Sequence, residues 1–484
     1  MRFFNMLPLL LFIHSILPSN VGLAKSETPN VVLIMVDDMG YGDPSCYNHQ
    51  SKIPTPTFDA LAREGMRFTD AHAPGPLCHL SRYGLLTGRY PFRTDVRKWP
   101  REAVITPNQT TLATLLKQAG YSTAMVGKWH LGFNEQGYDA PLPGGPVDCG
   151  FDSFFGIRAS TDIPPYFYIR NDRAVEEPSQ QIDENHSEGW SPIQGAFWRA
   201  GGIAPNLKLH DVLPRFTGEA CEFIQSKGES DSDQPFFLYL AYPAPHTPWL
   251  PAERFIDSSD AGMYGDFMVM VDSMIGRVIA TLEEQGLTEE TLVIVTSDNG
   301  PVWYDVDRAR FDHDSVGGLR GMKADAWEGG HRMPFIVRWP KRVQPGSVNH
   351  QLVCFTDVLA TLAELVDLPL SDQAAPDSFS FLDSLLSKEV ASSRESLAMR
   401  TGSGLWTVRL GSWKLIAGLG SGGFSKPSRI KATSDGPQGQ LYDLSKDPTE
   451  TTNLYLQRPS KVAELSEELD RLRSLDVTRD KKVR

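Results

Sequence analysis

Val31-Val32-Leu33-Ile34-Met35-Val36 runs directly into Asp37-Asp38. An unbroken apolar run, β-branched at Val31, Val32, Ile34 and Val36, lacks the polar alternation of a half-exposed strand and reads as a strand buried on both faces, as in parallel sheets. It stops at two carboxylates. The pattern recurs: Tyr121 to Val126 ends at Gly127-Lys128-Trp129-His130, Phe236 to Ala241 leads to Pro245-His246, and Leu292 to Thr296 ends at Asp298-Asn299-Gly300. Between these runs, Thr111 to Ala119 and Met268 to Gln285 carry apolar residues at three- and four-residue spacing, the mark of amphipathic helices. Strands alternating with helices predict an α/β fold with a mostly parallel central sheet between helices. In such sheets ligands bind beyond the carboxyl ends of the strands, so the four polar clusters are expected to converge.

The 484-residue chain is long enough for one large domain and a smaller one. Its net charge of -13 excludes a nucleic-acid binder, which needs a basic face, but leaves room for an anionic substrate held by a local cluster of Lys and Arg. Arg2, the apolar run Leu7 to Ile13 extending to Leu17, and the small residues Gly22 and Ala24 read as a signal peptide over residues 1–24, with export to the periplasm or beyond. Its apolar core falls short of the ~20 residues that span a bilayer, so stable membrane insertion is not expected. Cys46, Cys78, Cys149, Cys221 and Cys354 form no Cys-x-x-Cys pair, which removes the usual signal for zinc or dithiol chemistry and leaves any disulfide pairing open. Past a polar stretch at Ser387 to Arg394, the runs Leu405 to Leu410, Trp413 to Ala417 and Gln440 to Leu444 read as short antiparallel strands, and Ala463 to Leu472 as a helix. This predicts a small C-terminal subdomain over residues 396–484 after a main domain at 25–395. Ser226 to Gln234 and Gly418 to Gly439 read as loops.

Cys78-His79-Leu80-Ser81-Arg82 leads through Leu85-Leu86-Thr87 to Gly88-Arg89, a short helix that Gly88 closes. A side chain at such a helix N-terminus meets unpaired N–H groups and the positive end of the dipole, which stabilise developing negative charge. Asp37, Asp38, Asp298 and Asn299 offer oxygen only, a set suited to Ca²⁺ or Mg²⁺ rather than zinc. Each pair could alternatively solvate a strand end or form a turn.

The Cys-x-x-Ser-Arg stretch with Leu-Leu-Thr-Gly-Arg resembles the signature of the type I, formylglycine-dependent sulfatases, an arylsulfatase-like family of the alkaline-phosphatase-like superfamily. Asp37 to Asp43, Gly127 to Gly132, Pro245 to Pro248, Ser297 to Gly300 and Lys323 to Gly330 look like further motifs of that family, in its order. The resemblance extends from about residue 29 to about residue 455. It implies a maturing enzyme that oxidises Cys78 to formylglycine, and one Ca²⁺ held by Asp37, Asp38, Asp298, Asn299 and the modified Cys78. One departure is Leu80, where the family has Pro or Ala.

The resemblance also implies roles. Arg82 would orient the nucleophile and the metal ligands, and Lys128 and Lys323 would hold the sulfate oxygens. His130 would take a proton from the hydrated aldehyde, and His246 would protonate the leaving alcohol. The loop Ala159 to Tyr166, Trp249 and His331 are candidates for the cleft wall, with Asp162 and His331 named as substrate-binding residues. The activity expected is hydrolysis of a sulfate ester on a sulfated carbohydrate. Two alternatives accompany it: a phosphate or phosphonate monoester hydrolase on the same fold, and a catalytically silent glycan-binding homologue in which Leu80 has blocked maturation.

Overall fold

A computed structural model describes residues 28–230, 233–386 and 391–479. The expected signal peptide lies outside the described residues, as does part of the polar stretch at Ser387 to Arg394. The four strands read from the sequence are Thr291–Ser297, Asn30–Asp37, Phe236–Pro245 and Ser122–Lys128, and they lie side by side in that order at the centre of an 11-stranded sheet. All three pairings among them are parallel. The register places Val36 beside Ser297, Asp37 beside Pro245 and Gly127 beside Ala241. The polar clusters therefore leave the sheet along one edge.

Side chains on these strands are buried almost throughout, as an apolar run without alternation requires. Helices Pro56–Glu64, Val212–Gly228 and Gly262–Glu284 pack on one another, and Cys78–Thr87, Leu112–Gln118 and Asp357–Leu365 form a second set. Thr111 opens the Leu112–Gln118 helix with a capping box to Thr114, satisfying N–H groups that would otherwise lack partners. The Val212–Gly228 helix continues through Ser226 to Gly228, so the polar loop read from Ser226 is shorter than expected. Its last turn is polar because it faces outward.

The other seven strands of this sheet were not read from the sequence, two long ones among them. Met66–His72 and Arg332–Arg338 pair antiparallel with each other, and the second pairs antiparallel with Thr291–Ser297. Arg67, Thr69 and Asp70 interrupt the first run, which masks its strand character.

The C-terminal part forms a separate four-stranded antiparallel sheet from Ser396–Arg400, Trp406–Leu410, Trp413–Ile416 and Gln440–Asp443. Helix Pro459–Ser474 covers it, placing Leu465, Leu469 and Leu472 against Ala398, Val408, Leu415 and Leu441. Three of these strands follow the reading from sequence, and Ser396–Arg400 is added. All five cysteines are free. No helix among the described residues is long and apolar enough to cross a membrane.

Candidate active site

Asp37 ends its strand, and the chain turns at once with Asp38 at φ 66°. His130 and Ala324 share this left-handed backbone, at φ 60° and 70°. Such conformations are costly for residues with a Cβ and persist where surrounding structure fixes them. Gly127 is needed for a different reason: a Cβ there would lie 2.0 Å from the Ala241 carbonyl oxygen of the adjacent strand. The glycine lets Lys128 follow close to its neighbour.

Cys78 begins its helix with its Sγ 3.3 Å from Asp37 Oδ1 and 4.0 Å from Asp38 Oδ1. One turn on, Arg82 donates to Asp298 Oδ2 through Nε at 3.0 Å and Nη2 at 2.8 Å, and through Nη1 to the Lys128 carbonyl at 3.0 Å. The Lys128 ammonium donates to Asp37 Oδ2. Lys323 donates to both Asp38 oxygens, at 2.5 and 2.7 Å. His246 Nε2 lies 3.7 Å from Asp38 Oδ2. His130 packs its ring 4.3 Å from Trp99, and its Nδ1 has no hydrogen-bond partner among the described residues. Nine sequence-derived residues thus converge here: Asp37, Asp38, Cys78, Arg82, Lys128, His130, His246, Asp298 and Lys323.

Asn299 completes the set. Its Nδ2 donates to Asp38 Oδ1 at 2.7 Å, while its buried Oδ1 has no hydrogen-bond partner among the described residues. That amide oxygen is free to ligate a cation. Three buried carboxylates and an amide oxygen at one strand edge fit a hard divalent cation.

The electrostatics are those of a crowded buried charge cluster. Burial would raise the Asp37 carboxyl, but Lys128, His246, Arg82 and Lys323 outweigh it and hold the group well below the usual carboxylate range. Asp298 is pushed up to about 6 by burial and by Asp37, against the pull of Arg82. Burial, with Asp298 and Asp37 close by, pushes the Cys78 thiol well up. Burial and the Lys128 ammonium hold His130 well below the usual histidine range, so its imidazole stays neutral.

Above these groups opens a cavity of about 290 Å³, whose wall includes Cys78, His130, His246 and Lys323. The loop after Ile157 contributes Ser160 and Asp162, both buried; among the described residues neither Ser160 Oγ nor Asp162 Oδ1 has a hydrogen-bond partner, and Asp162 Oδ1 lies 3.9 Å from His246 Nδ1. Asp162 is positioned by Arg199, which donates to its Oδ2 and its carbonyl. Trp249 lines the same cavity, and Phe424 reaches it from the C-terminal part.

His331 is a correction: the structure does not bring it to the cleft. Its Nδ1 meets His72 Nδ1 at 3.0 Å and its Nε2 meets Lys414 Nζ at 3.1 Å, inside a buried network with Glu328 and Glu450. The Glu328–Gly330 turn ahead of it leads into the Arg332–Arg338 strand. This network joins the main and C-terminal parts. The Lys323 loop is also held from that side, through Ala326 N to the Ser421 carbonyl at 2.7 Å and Ser425 N to Asp325 at 3.1 Å. Sequence reading missed His79 and Trp99, stacked beside His130, together with Arg199 and Phe424. Only His79, next to Cys78, carried a signal.

Comparison with known proteins follows this geometry. A family profile described as Sulfatase matches residues 29–368. The chain is 36% identical to N-acetylgalactosamine-6-O-sulfatase of Bacteroides thetaiotaomicron, over 93% of this chain and 94% of that one. It is 34% identical to arylsulfatase A of Homo sapiens, over 96% of this chain and 90% of the relative. A solved chain from work on the metabolism of multiple glycosaminoglycans by Bacteroides thetaiotaomicron superposes with a TM-score of 0.80 at 34% identity, covering 93% of this chain and all of that one. The profile covers most of the chain and the relatives are matched over nearly all of it: the chain is a member of the sulfatase family, a sulfuric ester hydrolase.

Proposed function

We propose that this enzyme acts after export on a sulfated glycan, removing sulfate at a formylglycine that a maturing enzyme makes from Cys78, with Ca²⁺ held by Asp37, Asp38, Asp298 and Asn299. The catalytic part is residues 25–395, and residues 396–484 wall one side of the cleft. The observation that carries this reading is the position of Cys78 Sγ, 3.3 Å from Asp37 at the floor of a cavity lined by His246 and Lys323. When present, the hydrated aldehyde and the cation supply a nucleophilic oxygen at position 78 and stabilise negative charge beside it.

The chain's own groups do the rest. Lys128 and Lys323, which lean on carboxylates here, supply positive charge to the sulfate oxygens as charge builds in the transition state. Arg82 keeps Asp298 and the end of the Lys128 strand in fixed relation. Neutral His130 accepts a proton at position 78. His246, whose Nδ1 faces the Thr247 carbonyl at 2.7 Å, uses Nε2 to protonate the leaving sugar oxygen. A carbohydrate is supported by Asp162 and Ser160 in the cavity wall, whose oxygens can accept from ring hydroxyls, and by the Bacteroides relative, an N-acetylgalactosamine-6-O-sulfatase.

The test is turnover by matured enzyme of a panel containing 6-O-sulfated N-acetylgalactosamine, other sulfated sugars, an aryl sulfate and matched phosphate and phosphonate esters. Preference for a sulfated sugar is expected, with 6-O-sulfated N-acetylgalactosamine the first to try. Preference for a phosphonate ester over every sulfate would overturn the reading.

A further inference from the structure

A cavity of about 290 Å³ is at the small end of ligand sites, enough for one sugar ring with its sulfate. A glycan that enters it must place its next residue elsewhere. Two neighbouring cavities share wall residues with the catalytic one. The first, beyond Ser160 and Ile163, has about 10 Å³, too little for more than a water. The second has about 500 Å³ and meets the catalytic cavity at Ile193 and Phe424, which stand in the walls of both.

The chemistry of that second cavity is defined by few groups. Trp303 and Phe424 give it apolar and aromatic surface, on which the C–H face of a pyranose can pack. Asp305 and Asp314 offer carboxylate oxygens that accept from hydroxyls. Arg308 is already committed, with Nη2 2.9 Å from Asp314 Oδ2. Lys426 is exposed, lies two residues past Phe424 on the same loop, and forms no ion pair among the described residues. Acceptors for hydroxyls, an apolar wall and one uncommitted cation together match a sugar bearing an oxyanion.

Building on the sulfated-glycan reading above, we infer that the cavity between Ile193 and Lys426 is a second sugar subsite, which takes the neighbouring residue of the glycan and recognises an anionic substituent on it through Lys426. The oxyanion can be the carboxylate of a uronic acid or a second sulfate. Phe424 divides the two subsites and sets the angle between the rings. The C-terminal part thereby contributes to specificity as well as enclosing the cleft.

The experiment compares kcat/KM of the matured full chain on the sulfated monosaccharide it turns over best and on three disaccharides built from it. In these the neighbouring ring is neutral, carries a carboxylate, or carries a second sulfate. The expected result is a preference of roughly fivefold or more for at least one anionic disaccharide over the neutral one, in the range of an exposed charge-assisted contact. The arm that gains identifies the oxyanion. Lys426→Ala removes that preference and Lys426→Arg restores it. Equal turnover of all three disaccharides, or a preference that survives Lys426→Ala, overturns the subsite. If aryl sulfate is hydrolysed and no sulfated sugar is, the glycan reading itself fails, and the subsite with it.

Discussion

Arg82 and Asp298 form a fork on one oxygen, with Nε and Nη2 of the arginine both donating to Asp298 Oδ2 at 3.0 and 2.8 Å. Both side chains are fully buried. The pair joins the Cys78–Thr87 helix to the neighbouring strand end, and the same guanidinium holds the Lys128 carbonyl. Lysine at position 82 keeps one charge but cannot supply these separate donors at once. Arg82→Lys is expected to lower kcat by roughly tenfold to a hundredfold through loosened geometry. Arg82→Ala leaves Asp298 buried and unpaired, and is expected to cost about 3–5 kcal/mol of stability. Steady-state kinetics and thermal melts of the two variants separate these effects.

His246 is assigned to the leaving group, so its removal should matter most when that group is a poor one. For His246→Ala, kcat on a sugar sulfate is expected to fall by a factor of about 10² to 10⁴, the usual worth of a positioned general acid. Hydrolysis of an aryl sulfate with an acidic phenol should fall much less. A steeper dependence of log kcat on leaving-group pKa than in the parent enzyme is the diagnostic. An equal loss on both substrates would place His246 in another role.

Removing divalent cations should destabilise the matured protein. Asp37, Asp38 and Asp298 converge in a buried site, and burial together with the Asp37 charge pushes Asp298 up to about 6. Calcium at about a hundredfold over its dissociation constant would stabilise the fold by about 2.7 kcal/mol. Chelator is therefore expected to lower the melting temperature and calcium to restore it. Asp298→Asn should weaken that response.

Behind the cleft, Glu450 lies buried against Glu328 and Lys414. Burial and the neighbouring Glu328 raise Glu450 from the ordinary 4.5 to about 7, while Lys414 opposes the shift. A carboxyl raised in the folded state binds its proton more tightly there than in the unfolded chain. Its contribution to stability is complete below pH 4.5 and is lost as pH rises through about 7. The change is at most about 3 kcal/mol. Glu450→Gln should flatten the stability profile across that window, as urea titrations at several pH values would show.

The parts of this molecule that were legible in sequence are those where pattern and chemistry coincide. The four central strands announce themselves because they are apolar on both faces and end in charge, and their adjacency follows from parallel α/β architecture. Met66–His72 did not, because Arg67 and Thr69 lie at half-exposed positions and Asp70 is spent on a buried ion pair with Arg409. His331 misled for a related reason: a histidine after Glu328-Gly329-Gly330 has the composition of a cleft loop, and only the fold shows it facing Lys414 from the other part of the chain. Trp99, Arg199 and Phe424 reach the cavity from loops distant in sequence, which no spacing rule connects. Leu80 has a packing explanation visible only in three dimensions. Its Cδ1 would lie 2.9 Å from a Cβ at position 75, so Gly75 makes room for the longer side chain.

The central claim is that position 78 works as formylglycine, and mass spectrometry of the peptide spanning Leu77 to Arg82 tests it most directly. Protein coexpressed with a maturing enzyme and active on a sulfate ester should yield a peptide lighter by the exchange of sulfur and two hydrogens for one oxygen, and this peptide should react with an aldehyde-specific hydrazide. A preparation that hydrolyses sulfate esters at full rate while Cys78 remains an unmodified thiol would contradict the account.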